Sequence, residues 1–145
     1  VNAAVLGHHA CDDLQRTEVY IYFPRKYPPG AGIKVNGKLH KGNRHFEGEI
    51  GCLPLDIQWG PELVDSFDEF TAAASKVVLS MTAILDPDSV ILFGEFLTDA
   101  HLKGILEECE KSLSHRIVPE LSLAEDFGLD FEGGLIGLTL ELLEN

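Results

Sequence analysis

Long apolar runs are missing from this chain. No stretch approaches the roughly 20 uninterrupted apolar residues that a spanning helix requires, so a protein inserted in a membrane by such helices is excluded. Basic residues are scarce: 11 Lys and Arg stand against 24 Asp and Glu, a formal net charge of −13. An acidic surface repels phosphate backbones, so these residues are poor candidates for touching nucleic acid themselves. Cysteine is sparse and odd in number. Cys11, Cys52 and Cys109 lie far apart, which fits reduced thiols in a cytoplasmic protein better than a disulfide framework. No basic segment followed by an apolar one opens the chain, so no secretion signal is visible, and no repeat or low-complexity tract follows.

What is present is the composition of a globular domain. Hydrophobic residues make up 45% and charged residues 24% of 145 positions, enough apolar side chain to offset the entropy of ordering the backbone. Val1 is not a start methionine, and Val1-Asn2-Ala3-Ala4-Val5-Leu6-Gly7 reads as the inside of an element already under way. The expectation is one domain over residues 1–145, cut from a longer protein.

Apolar spacing predicts a helix from Asn2 to about Leu14, with Ala3, Leu6, Ala10 and Leu14 on one face. Thr17 to Phe23 is β-branched and aromatic, the pattern of a strand buried on both faces. Pro24 to Gly30 is a loop with three prolines. Ala31 to Val35, Asn36-Gly37 and Lys38 to Lys41 form a hairpin signal, since Asn-Gly supplies the two positive φ values of a type I′ turn. Phe46 to Leu55 is expected to re-enter a strand, and Trp59-Gly60-Pro61 breaks the chain. From Ser66 to Leu85 the longest helix carries a stripe of Phe67, Phe70, Ala74, Val77, Val78, Met81 and Ile84, and Asp86-Pro87-Asp88 stops it. Ser89 to Phe93 is a strand. Thr98 or Asp99 caps a helix to about Leu113, Arg116 to Leu121 is a strand, and Phe131 to Leu143 a last helix. Hairpin-joined strands followed by alternating helices and strands make an α/β layered unit.

Four features bear on chemistry. His8 and Cys11 share a helix face and could hold a metal, but no second ligand pair sits at matching spacing, so a surface histidine pair beside a buried thiol is the preferred reading. Pro24 to Gly32 is a strand–turn–strand segment with two glycines, a format that can cradle an anion on backbone N–H groups. Pro24, Pro28 and Pro29 each remove such a donor, and residues alone favour a structural loop. In Phe46-Glu47-Gly48-Glu49-Ile50-Gly51-Cys52, glycines flank Glu49, whose carboxylate can accept the two hydroxyl hydrogen bonds of a sugar diol; an exposed glutamate on a turn explains it equally. Val90 to Glu95 is an apolar strand ending in glycine, either a ligand edge or a plain strand-to-helix turn.

Taken in order, these segments resemble the ROK family of repressors and sugar kinases. Asn2-Ala3-Ala4-Val5-Leu6-Gly7 is similar to the family's Asn-Asp-X-Asn-Ala-Ala-X-Leu-Gly, entered just after its aspartate. Gly30 to Leu39 resembles the hairpin after the second phosphate loop. Phe46-Glu47-Gly48-Glu49-Ile50-Gly51 resembles the signature Phe-Ala-Gly-Glu-Ile-Gly-His, and Leu85 to Gly94 the segment Leu-Asp-Pro-X-X-Ile-Val-Leu-Gly-Gly. Gly133-Gly134-Leu135-Ile136-Gly137 falls where the family closes on a Gly-Ala-rich helix.

The resemblance implies an actin-like, ribonuclease H-type α/β fold, of which this chain is the C-terminal lobe. It implies sugar contacts at Glu49, Gly48 and Asn2, and a nucleotide edge at Gly94. It also implies a phosphate loop at Lys26, Tyr27, Pro28, Gly30 and Gly32, where Lys26-Tyr27-Pro28 replace the family's Gly-Thr-Gly and degrade the anion cradle. Glu95 sets a carboxylate where nucleotide would lie, unfavourable to a polyphosphate. Cys52 stands for the signature histidine, and Asp56 to Pro61 for the cysteine-rich zinc segment, so no structural zinc is expected. The family's catalytic aspartate would precede Val1, leaving no catalytic residue and no cofactor in this chain. The function so implied is effector sensing in a NagC/XylR-type transcriptional regulator, a small-molecule sugar binding between two lobes of a homo-oligomer and an upstream domain contacting DNA. An ATP-dependent sugar kinase is the alternative, and a scaffold binding neither sugar nor nucleotide a third.

Overall fold

A computed structural model describes residues 15–125, together with Asn2 and Ala4. Its centre is a mixed five-stranded sheet: β1 (Glu18–Tyr22), β2 (Gly30–Val35), β3 (Lys38–Leu39), β4 (Ser89–Phe93) and β5 (Glu120–Leu123), in the order β3-β2-β1-β4-β5. The first three strands are antiparallel neighbours. Val19 faces Ile33 across β1 and β2, and Lys34 faces Leu39 across β2 and β3. On its other side β1 runs parallel to β4, with Val19 opposite Val90, and β4 runs parallel to β5. Three helices are interspersed among residues 15–125: α1 (Pro61–Asp65), α2 (Phe67–Leu85) and α3 (Asp99–Ser112).

The two-residue period of β1 and β4 divides the core. Val19, Ile21, Phe23, Val90 and Leu92 point to one face, where Phe70, Ala74, Val77, Val78 and Met81 of α2 and Ile105 and Cys109 of α3 cover them. Tyr20 and Ile91 point to the other, against Ala4 and Ala124. A strand buried on both faces is thus what the apolar run Val19–Tyr22 produces. Glu18 is the charged exception on this strand. Its carboxylate is 4% exposed overall and takes Lys34 Nζ at 2.9 Å and Ser89 Oγ at 3.0 Å, so both oxygens are satisfied.

The turn at Asn36-Gly37 has φ of 50° and 81°, the two positive values expected of it. Ser66 caps α2 by accepting from the Glu69 N–H, and Asp86, left-handed at φ 45°, ends it. Asp88 joins the parallel strands: its N–H donates to the Thr17 carbonyl, its Oδ2 accepts from the Thr17 N–H, and its carbonyl accepts from the Glu120 N–H.

Several expected boundaries are corrected. Phe46 to Leu55 is not a strand: it makes one bridge, Gly30 with Glu49, and then a 3₁₀ turn at Ile50–Cys52. Positive φ at His45 and Gly48 turns the backbone out of an extended path there. The last strand begins at Glu120 rather than Arg116, because Pro119 has no N–H for the ladder and residues 115–117 are turned, with Ile117 N–H bonded to the Ser114 carbonyl. The strand β3 ends at Leu39, and the last hairpin bond is the His40 N–H to the Ile33 carbonyl, short of Lys41. The short helix α1, with Pro61 at its first position, was not anticipated. In the α2 stripe, Phe67 and Ile84 are exposed while the five positions between them are buried. The helix expected over residues 2–14, apart from Asn2 and Ala4, lies outside the described residues, as do His8, Cys11, the helix expected over 131–143 and its glycines.

Candidate functional site

The bridge between β2 and the 46–52 turn builds the site. Ala31 N–H donates to the Gly48 carbonyl at 2.8 Å, pinning the turn against the first strand of the hairpin. Gly48 sits at φ 81°, and a Cβ on it would fall 1.9 Å from the Ala31 carbonyl oxygen, so only glycine fits. The next residue, Glu49, is thereby presented at the surface, with no hydrogen bond to its carboxylate among the described residues. Around it lies a cavity of about 320 Å³ lined by Asn2, Gly30, Ala31, His45, Glu47, Gly48 and Glu49. Asn2, Gly48 and Glu49, the three positions expected to contact sugar, therefore share one concave surface.

Two further side chains belong to it. Glu47 Oε1 accepts from Asn2 Nδ2 at 3.4 Å, and Oε2 is turned inward without a hydrogen-bond partner, close enough to Gly42 that a Cβ there would lie 2.8 Å from it. The Glu47 backbone N–H, and after it Gly42, Asn2 and His45, hold the carboxyl below its ordinary value against the opposing effect of burial. Glu47 and His45 were not among the expected site residues. The signal for Glu47 was present, as a charged residue standing where the resembled signature has alanine.

The loop before β2 is placed differently. Gly30 and Gly32 belong to β2 itself, Gly32 paired with Tyr20, and do not form part of an open anion cradle. Lys26, Tyr27 and Pro28 lie in the exposed loop, with Tyr27 69% exposed. Pro28 rests on the 46–52 turn: a Cβ on Gly51 would lie 2.5 Å from the Pro28 Cβ. The absent side chain at Gly51 thus makes room for the proline ring. Arg25 is committed to an ion pair with Asp65 of α1.

A second cleft, about 280 Å³, opens at the carboxyl ends of β1 and β4, lined by Tyr22, Phe23, Pro24, Arg25, Glu95 and Phe96. Ligands in open α/β sheets sit beyond such strand ends. Gly94 is buried beside it, where a Cβ would meet the Phe23 carbonyl at 3.0 Å and the Leu97 side chain at 3.1 Å, so its immediate role is the close approach of two strand ends. Among the described residues no three His, Cys, Asp or Glu side chains gather at metal-binding distance; Cys52 is exposed at the end of the 3₁₀ turn.

The described fold superposes on solved structures of one kind. A ROK family protein from Streptococcus pneumoniae TIGR4, in complex with sucrose, superposes over 99% of this chain and 65% of its own, at TM-score 0.74 and 13% identity. The fold is that of ROK-family proteins. ROK hexokinase from Thermus thermophilus matches 97% of this chain and 65% of its own, at TM-score 0.75 and 17% identity. A ROK family transcriptional regulator, a homologue of the E. coli Mlc protein, matches 97% of this chain and 52% of its own, at TM-score 0.58 and 13% identity. This chain therefore spans less than two thirds of the ROK proteins it superposes on. No sequence profile of a protein family matches it, and no curated protein does. The actin-like α/β fold expected from the motifs is the fold observed, and both kinases and a regulator carry it. No described helix is long and apolar enough to cross a membrane.

Proposed function

We propose that this chain is the C-terminal lobe of a ROK protein that senses a sugar and regulates transcription, rather than phosphorylating the sugar. The observation that carries this reading is the contrast between the two halves of the site. The sugar side keeps its frame, with Gly48 forced to be glycine and Glu49 presented free on a cavity that Asn2 also lines. The phosphate side does not. Three prolines at positions 24, 28 and 29 supply no N–H, and Pro28 is seated on Gly51. A sugar would bind between this lobe and a second one, with Glu49 accepting its hydroxyls, and shift the population between DNA-competent and DNA-incompetent forms of an oligomer. DNA contact belongs to another part of the protein, in keeping with the −13 charge here.

The kinase reading keeps one observation in its favour, the cleft at the β1 and β4 ends, where ligands of α/β sheets collect. A phosphoryl-transfer assay on the complete protein, with Mg-ATP and a panel of hexoses, separates the two. The regulator reading predicts no sugar phosphate above background, together with a sugar-dependent change in the protein's retention of its own promoter DNA. Turnover of ATP with any hexose overturns it.

A further inference from the structure

We propose that Glu47 fixes the chemical class of the ligand, making the cavity a site for an unphosphorylated sugar that prefers a 2-amino sugar to the neutral hexose and rejects the sugar phosphate. The inference deepens the sugar-site reading above and rests on it. Glu47 contributes a second carboxylate to the cavity that already holds Glu49, and no Lys or Arg lines that cavity. Among the described residues His45 is the only lining side chain able to carry positive charge. A phosphate brought there meets two anions; an ammonium group meets two counter-charges.

The Asn2 contact adds direction to this. An ionised carboxylate only accepts, so it is the amide nitrogen of Asn2 that faces Glu47 across 3.4 Å, and the carbonyl oxygen is turned away. Glu49 offers its free acceptors to the cavity and the Glu47 charge lies behind them, Oε1 on Asn2 and Oε2 turned inward, a wall that suits hydroxyl and ammonium donors and leaves phosphate oxygens without partners. The backbone carbonyl of Gly48 is already taken by Ala31, so the discrimination lies with these side chains. The nearby N–H groups that favour the charged form of Glu47 keep its carboxylate ionised at neutral pH.

Calorimetric titration of the complete protein at pH 7 tests this with glucose, mannose and galactose, each as the parent sugar, the 2-amino sugar and the 6-phosphate. The expected result is that, for the hexose that binds, the amino sugar binds at least tenfold tighter than the parent and the 6-phosphate at least tenfold weaker. Glu47→Gln, which keeps the shape and an acceptor for Asn2, is expected to bring both ratios towards one, and Glu47→Ala to do the same if it folds. A 6-phosphate that binds as tightly as its parent overturns the proposal, and so do ratios that Glu47→Gln leaves unmoved. Absence of binding by all nine compounds overturns the sugar-site reading itself, and this proposal with it.

Discussion

Gly48 is where one added methyl group does most harm. It combines φ of 81° with a Cβ position 1.9 Å from a carbonyl oxygen, so alanine there must either break the Ala31–Gly48 hydrogen bond or push β2 away. Strain of this kind costs about 1–3 kcal/mol before the lost bond is counted, and Gly48→Ala is expected to lower the urea midpoint while displacing Glu49 from the cavity. A far smaller effect at Gly60, whose added Cβ would meet nothing within 4 Å, is the control. Thiol chemistry separates two other residues. Burial, with help from Glu108 and Glu110, pushes the Cys109 thiol up to about 11, whereas Cys52 is exposed. Iodoacetamide at pH 8 should therefore alkylate Cys52 in the native protein and leave Cys109 intact, as peptide mass mapping would show; rapid labelling of Cys109 would contradict the packing of α3. At this scale Glu49 and Gly48 were legible from the glycine pair flanking a carboxylate. Glu47 was marked only by its departure from the alanine of the resembled signature, and His45 by nothing, because its place on the cavity depends on how the 42–47 loop folds back, which no local pattern encodes.

The helices show how well local chemistry marks an element's ends. Ser66, Asp86 and Thr98 fall at the caps that their side chains or backbone preferences predict. Ser66→Ala should cost roughly 1 kcal/mol, readable as a shifted unfolding midpoint. The start of α3 has a second component that the sequence did not disclose. His101 Nδ1 accepts from the Thr98 N–H at 3.1 Å, and its ring packs among Phe67, Phe70 and Phe96. Burial holds its pKa below the ordinary value of 6.5. The unfolded chain therefore takes up the proton first as pH falls, so stability declines as pH drops below about 6.5 and stops declining once the folded form is protonated too. Unfolding curves between pH 7.5 and pH 5 should show this loss, and His101→Gln should flatten it. An unchanged slope in the variant would assign the loss to other groups. Two of the failed expectations among the elements have local causes: positive φ at His45 and Gly48 for the missing strand over 46–55, Pro119 and the turn at 115–117 for the late start of β5. Both act on backbone geometry, which an apolar pattern does not report.

For the molecule as a whole, the α/β class was implied by a hairpin signal followed by alternating helices and strands, since parallel neighbours need helical crossovers and antiparallel ones only a turn, whereas the order β3-β2-β1-β4-β5 is seen only in the structure. The motifs then supplied what periodicity cannot, the order of five short segments that points to one fold. At 13% and 17% identity to the structures it superposes on, the chain has kept that topology while changing most of its side chains. The changes are uneven. Against the resembled ROK motifs they are severe at Lys26 to Pro28 and slight at Gly48 and Glu49, and this asymmetry is the ground of the proposal that separates sugar binding from phosphoryl transfer. The −13 charge agrees with a lobe that faces a sugar and a partner lobe rather than DNA. The most direct test is calorimetric titration of the complete protein with hexoses and amino hexoses, beside Glu49→Ala and in the presence and absence of Mg-ATP. The account predicts saturable binding of at least one sugar, abolished or weakened at least tenfold by Glu49→Ala and indifferent to ATP. Sugar binding that survives Glu49→Ala unchanged, or that appears only with ATP, would contradict it.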